Sequence, residues 1–141
     1  MTQEDKELLL KDLCARLPYG VKLQHVKNTD SIVELYSIDL DEFYCKIQFY
    51  TYKGKALTAS EEGKLLKPGG MLRYKPYLFP LSSMTEGQNE ELIKLINTGQ
   101  NDNNEFMRSL CRTEFYHKNH FDYRGLIPMG LAIDATGLNI Y

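Results

Sequence analysis

No apolar stretch in this chain approaches the roughly 18 residues that a membrane-spanning helix needs, and Leu8 to Leu10 is a run of only three. No secretory leader is expected either, because Met1-Thr2-Gln3-Glu4-Asp5 is acidic where such a leader is basic and then apolar. Cysteine is scarce. Cys14, Cys45 and Cys111 form an odd, widely spaced set inside apolar patterns, which reads as buried free thiols and not as a disulfide framework. Together these absences predict a cytoplasmic protein with no membrane contact. Excess charge is also lacking: a formal net charge of −2 gives no bulk attraction for a polyanion. There is no internal repeat, no glycine loop that would cradle phosphate, no nucleophile with its partners and no complete metal-ligand set. The chain therefore leans away from enzymes, and no cofactor or metal is expected.

What is present is a chain of 141 residues, 43% hydrophobic and 26% charged, values that predict one globular domain over residues 1–141 with a genuine core. Charge is unevenly placed. Residues 1–42 carry −4 and residues 86–141 carry −3, whereas residues 43–85 carry +5. Acidic helices lying near a basic sheet or loop would account for this pattern.

Hydrophobic spacing predicts an amphipathic helix over 2–17, with Thr2 and Asp5 at its start, a stripe of Leu9, Leu10, Leu13, Cys14 and Leu17, and Pro18 and Gly20 at its end. From Val21 the period becomes two. Val21, Leu23 and His25 mark one strand, Tyr36, Ile38 and Leu40 a second, and Phe43 to Tyr52 the clearest. In that last strand Phe43, Cys45, Ile47 and Phe49 face one way, and Tyr44, Lys46, Gln48, Tyr50 and Tyr52 the other. Residues 53–70 read as a hairpin turn and then a loop or short helix. Met71 to about Leu78 reads as a strand that Pro76 and Pro80 confine to a sheet edge or an extended arm. A second helix follows Thr85, with Gln88 at capping-box spacing and Leu92, Leu95 and Ile96 as its buried stripe. Asp102 and Glu105 open a third, with Phe106, Met107, Leu110, Cys111 and Phe115 as core; a short strand is expected at 138–141. The order predicts an α+β fold: an N-terminal helix, an antiparallel sheet of about 4–5 strands, and two further helices in the C-terminal half.

Three blocks are distinctive when taken together: Leu13-Cys14-Ala15-Arg16-Leu17-Pro18-Tyr19-Gly20-Val21, Lys75 to Glu86, and His120-Phe121-Asp122-Tyr123-Arg124-Gly125-Leu126-Ile127 with Gly130-Leu131-Ala132. On these blocks the chain resembles a family of short proteins of Bacteroides-type gut bacteria and their prophages or other mobile elements. The stretch from Asn28 to Gly70 contributes nothing to the likeness. The family has no assigned activity, so the resemblance implies a bacterial or phage accessory protein and transfers no catalytic residues. Pro128-Met129 stands where charged residues are expected in such proteins, which weakens a helix across 122–132.

Several constellations could carry function. His120 as proton carrier, Asp122 as its orienter and Arg124 as anion binder would share one face of an extended segment and suit hydrolysis. The structural alternative has Asp122 capping the following turn, Arg124 paired with an acid and His120 bonded to a backbone carbonyl. Cys111, His117, His120 and Asp122 lack the tight ligand pairs of zinc sites. Nucleic acid is a second class: Lys64, Lys67, Arg73 and Lys75 interleave with Tyr74, Tyr77 and Phe79, with no acid between Glu62 and Glu86. The favoured class is a non-enzymatic accessory protein with a protein partner or self-association. Its contact surface would be the Tyr44, Tyr50 and Tyr52 face and the arm carrying Tyr77 and Phe79.

Overall fold

In the computed structural model the described residues are 1–27, 29–30, 32–40, 45–51, 57–62, 73–98 and 104–141; for 39, 40, 45–51, 57–62 and 98 only the backbone is described. Helix α1 (Gln3–Arg16) opens with a full capping box, the Thr2 side chain accepting from the Asp5 N–H at 3.1 Å and Asp5 Oδ2 from the Thr2 N–H at 2.7 Å. Strands β1 (Lys22–His25), β2 (Ile32–Leu40), β3 (Cys45–Thr51) and β4 (Leu57–Glu62) form an antiparallel meander. Strand β5 (Tyr74–Pro80) pairs antiparallel with β1 on the far side from β2. Then come α2 (Glu86–Thr98), α3 (Glu105–Lys118) and two two-residue strands, β6 (Phe121–Asp122) and β7 (Ile133–Asp134), both parallel to β5. The fold is α+β. The antiparallel sheet expected from sequence becomes mixed through β6 and β7.

Several details differ from the sequence reading, each with a physical reason. Strand β4 occupies part of the segment read as loop or short helix. β2 starts at Ile32, because Val33 and Leu35 face the core while a register shift between Leu35 and Ser37 reverses the alternation. Tyr36 is consequently exposed, and it does not share a face with Ile38, which packs against the core. β5 is neither an edge nor an arm, since it lies between β1 and β6. Its partners change after Pro76, the residue that lacks a donor: Tyr74–Pro76 pairs with β1, Tyr77–Leu78 with β7 and Phe79–Pro80 with β6. Residues 138–141 form no strand, and residues 123–132 make successive turns where a helix would otherwise run.

The main core lies between α1 and one face of the sheet. Leu9, Leu10 and Leu13 meet Val21 and Leu23 of β1, Val33 and Leu35 of β2, Leu78 of β5, and Leu126, Leu131 and Ala132 of the closing turns. Tyr77, adjacent to Leu78 and therefore on the opposite face of β5, packs with Ala135 and Ile140. A third cluster of Leu92, Phe115 and Phe121, extended by Phe79, attaches α2 and α3 to the end of β5. Cys14 falls off the buried arc of α1 and is exposed, and Cys111 is half-buried, so these thiols are free without being core residues.

Candidate functional site

The segment 117–124 joins helix, strand and turn within eight residues, and Asn119, Asp122 and Arg124 in it bond three different parts of the chain. Helix α3 ends at Asn119, whose side chain Nδ2 donates to the Phe115 carbonyl at 2.9 Å. His120 follows with φ +59°, the left-handed position after a helix that glycine usually fills, at a cost on the order of 1 kcal/mol for a non-glycine residue. The conformation turns its carbonyl toward β5, where the Phe79 N–H donates to it at 2.9 Å. The imidazole is 8% exposed and stacks face to face on Tyr141, with ring centroids 3.7 Å apart and planes 11° from parallel. Nδ1 is buried without a hydrogen-bond partner. Burial, reinforced by the charges of Arg16 and Lys22, pushes the His120 pKa down to about 4.

Asp122 is buried and fully occupied. Its Oδ1 accepts from the Leu126 N–H at 2.9 Å and its Oδ2 from the Ile127 N–H at 2.8 Å, which closes the turn after β6. Arg124 turns the other way, its Nε donating to Asp12 Oδ1 at 3.1 Å while its guanidinium lies 4.7 Å from the centre of the Tyr123 ring. Only Phe121 and Asp122 are extended, so His120, Asp122 and Arg124 do not share the common face that an extended segment would have given them. Two arrangements of the structural alternative are present, the Asp122 turn cap and the Arg124–acid pair. The third differs, because it is the His120 backbone that is bonded and not its ring.

Asp12 and Arg16, which the sequence reading left out of any site, are the centre of this region. Both are 0% exposed, and Arg16 Nε donates to Asp12 Oδ2 at 2.7 Å. Arg16 Nη2 reaches the Phe121 carbonyl at 2.7 Å and Nη1 the Tyr116 carbonyl at 3.5 Å, tying α1 to the end of α3 and to β6. His117 Nε2 and the Tyr123 hydroxyl lie 2.8 Å apart beside them. Burial, with Arg16 nearby, lowers the His117 pKa, and burial raises that of the Tyr123 phenol. One signal was available: Asp12 and Arg16 are four residues apart and in phase with Leu9 and Leu13, so the pair had to face the core. The bonds of this cluster tie α1 to the end of α3, to β6 and to Arg124 of the following turn, which is the work of a structural hub. Among the described residues no group of three or more His, Cys, Asp or Glu side chains could hold a metal ion.

The proposed contact residues disperse. Tyr77 is 3% exposed, and Phe79 is half-buried between Phe121 and Tyr141, so neither ring can serve as an exposed anchor or a stacking platform for bases. Their place inside the sheet, and not on an arm, is the reason. Arg73 is exposed, and Lys75 is half-buried opposite Gln24 of β1. Tyr44, Tyr52, Lys64 and Lys67 fall outside the described residues. Tyr50 is described by its backbone alone, opposite Glu34 and Leu57.

A different apolar surface takes their place. Of the residues expected in the cores of α2 and α3, Leu92 and Phe115 are buried, but Leu95, Phe106, Met107 and Leu110 are exposed, Phe106 by 69%. α3 is capped by Asn104, whose Oδ1 accepts from the Phe106 and Met107 N–H groups at 3.0 and 3.3 Å; Asp102 falls outside the described residues. The C-terminal half of α3 packs against Phe121 and Leu92, whereas its first turns carry an apolar face to solvent. Among the described residues no helix is long and apolar enough to cross a membrane, so the exposed face is not part of such a span. Compared with family models, with curated proteins and with solved structures, the chain matches none.

Proposed function

We propose that this protein acts by binding another protein, through the outer face of the α2–α3 hairpin, and performs no chemistry of its own. The observation that carries this reading is the exposure of Leu95, Phe106, Met107 and Leu110 on two well-capped helices. Large apolar side chains clustered on an ordered helical surface are costly in water unless a partner covers them. The hub around Asp12 and Arg16 supports the reading from the other side, because its polar groups are consumed in holding the helices to the sheet. The sequence resemblance and the free thiols support a cytoplasmic accessory protein of bacterial or phage origin.

A photoreactive phenylalanine analogue placed at position 106 or 110, with the exposed position 27 after β1 as a control away from the hairpin, tests the contact in the host cell. Crosslinks to a discrete protein from 106 and 110 but not from 27 are expected. Equal crosslinking from all three positions, or none, would remove the hairpin as the contact face.

A further inference from the structure

The hairpin also carries features that select a partner. Where α2 and α3 meet, Glu91, Leu95, Cys111, Glu114, Phe115 and Lys118 line a groove of about 170 Å³. Its floor is apolar, and the volume matches one large aliphatic or aromatic side chain. Met107 lies four residues before Cys111 and Leu110 four before Glu114, so both continue the groove one turn toward the start of α3 on the same side of the helix. Phe106 stands one further turn from Leu110. The result is an apolar track of two to three turns, roughly 10 to 15 Å long, the length over which a helix presents anchors at i, i+3 or i+4, and i+7.

Charge and area narrow the occupant. Two carboxylates, Glu91 and Glu114, and one ammonium, Lys118, form the rim. Across the hairpin the exposed acids Glu86, Glu90, Glu91, Glu105 and Glu114 stand against exposed Lys94 and Lys118 and half-buried Arg108 and Arg112, so the excess of acid is a single charge, as it is on the rim itself. A second copy would bring the same acids to the same rim, and like charges across an interface oppose association. The exposed apolar side chains also amount to on the order of 400 Å², about half of what each partner of a stable dimer buries.

Resting on the contact reading above, we propose that the α2–α3 groove docks a short amphipathic helix of a partner protein. A Leu, Met or Phe of that helix would fill the groove, and Lys or Arg residues flanking it would meet Glu91 and Glu114. The track supplies the apolar area and the acids select the charge of the ligand.

A phage-displayed library of random 16-residue peptides, selected on the wild-type protein and counter-selected on the Leu95→Asp/Leu110→Asp variant, tests this. Both substituted residues are exposed, so the variant is expected to keep its helical circular dichroism. The expected winners carry apolar residues at helical spacing with Lys or Arg beside them. A synthetic winner should bind the Leu95→Asp/Leu110→Asp variant at least tenfold more weakly than wild type. It should also lose affinity for Glu91→Lys/Glu114→Lys and regain it when its own basic residues are changed to Glu. Winners with acidic flanks, or winners insensitive to the charge exchange yet lost on Leu95→Asp/Leu110→Asp, would overturn the partner chemistry while leaving the contact face standing. No hairpin-dependent winner, together with no specific crosslink from position 106, would overturn both. A concentration-dependent dimer in light scattering that Phe106→Asp dissolves would replace the partner helix by a second copy.

Discussion

Two helical regions of this molecule invert the ordinary distribution of residue types. At the hub, where α1 meets the end of α3 and β6, the charged Asp12 and Arg16 are withdrawn from water and the ring of His120 is sealed under Tyr141. In the outer half of the α2–α3 hairpin, Phe106 and Leu110 face water instead. The inversion has different causes. A buried charge is tolerated where its hydrogen bonds are completed, and Arg16 reaches Asp12 and two backbone carbonyls. An exposed apolar side chain carries no such requirement for folding, so its cost persists until something covers it. The hub is thus accounted for by the stability of the chain alone, whereas the exposed face of the hairpin is what the proposed contact would cover.

Substitution at the hub should therefore be felt in stability. Asp12→Ala leaves Arg16 buried without its carboxylate and should cost about 3 to 5 kcal/mol in urea denaturation. Asp12→Leu/Arg16→Met removes both buried charges, and Arg124, whose side chain is 18% exposed, can turn to water; the double variant should lose markedly less than Asp12→Ala. If the two lose equally, the hub holds the fold by packing and not by charge pairing.

Acid provides the next largest effect. With the His120 pKa lowered from 6.5 to about 4, the unfolded chain takes up this proton before the folded one does. The stability tied to neutral His120 is fully present above pH 6.5, declines as pH falls toward about 4, and is constant below, a loss on the order of 3 kcal/mol. Asparagine tolerates the left-handed backbone and does not titrate, so His120→Asn should flatten this part of the pH dependence relative to wild type. Denaturation midpoints of both proteins at pH 7 and pH 4.5 measure it, and parallel declines would assign the acid sensitivity to other groups.

Tyr141 gives a smaller effect. Its hydroxyl accepts from the Lys22 N–H at 2.9 Å and donates to the Tyr77 carbonyl at 2.8 Å. Tyr141→Phe keeps the ring over His120 and removes both bonds, for an expected loss of about 1 to 2 kcal/mol in thermal or urea unfolding. At the hairpin, Phe106→Asp should change stability least, within about 0.5 kcal/mol, since the residue is exposed and an acid suits the first turn of a helix. A loss above about 2 kcal/mol there would mean that Phe106 stabilises the fold, and the contrast between the two regions would disappear.

Local signals were legible wherever the residues that make an element are also its neighbours. The Thr2–Asp5 and Thr85–Gln88 capping boxes, the alternation through β1 and the proline and glycine after α1 all involve groups within a few positions of one another. The start of β2 was not legible, because the irregularity after Leu35 breaks the alternation on which the reading depends. Helical periodicity identified the apolar faces of α2 and α3 correctly as faces. It could not say what lies against them, since the same spacing arises from a core stripe and from a contact surface.

The sequence by itself determined the class of the fold, the places where α1 and α2 begin and the alternation of β1, because propensity, capping and periodicity act over a few residues. Only the tertiary structure decided which polar residues become a hub and which apolar residues stay outside. Arg16 is an ordinary last-turn arginine until the Phe121 carbonyl, 105 residues away, meets its guanidinium. Phe106 is an ordinary core candidate until α3 extends past the body that buries Phe115. Both outcomes depend on contacts between distant segments, which no local window contains.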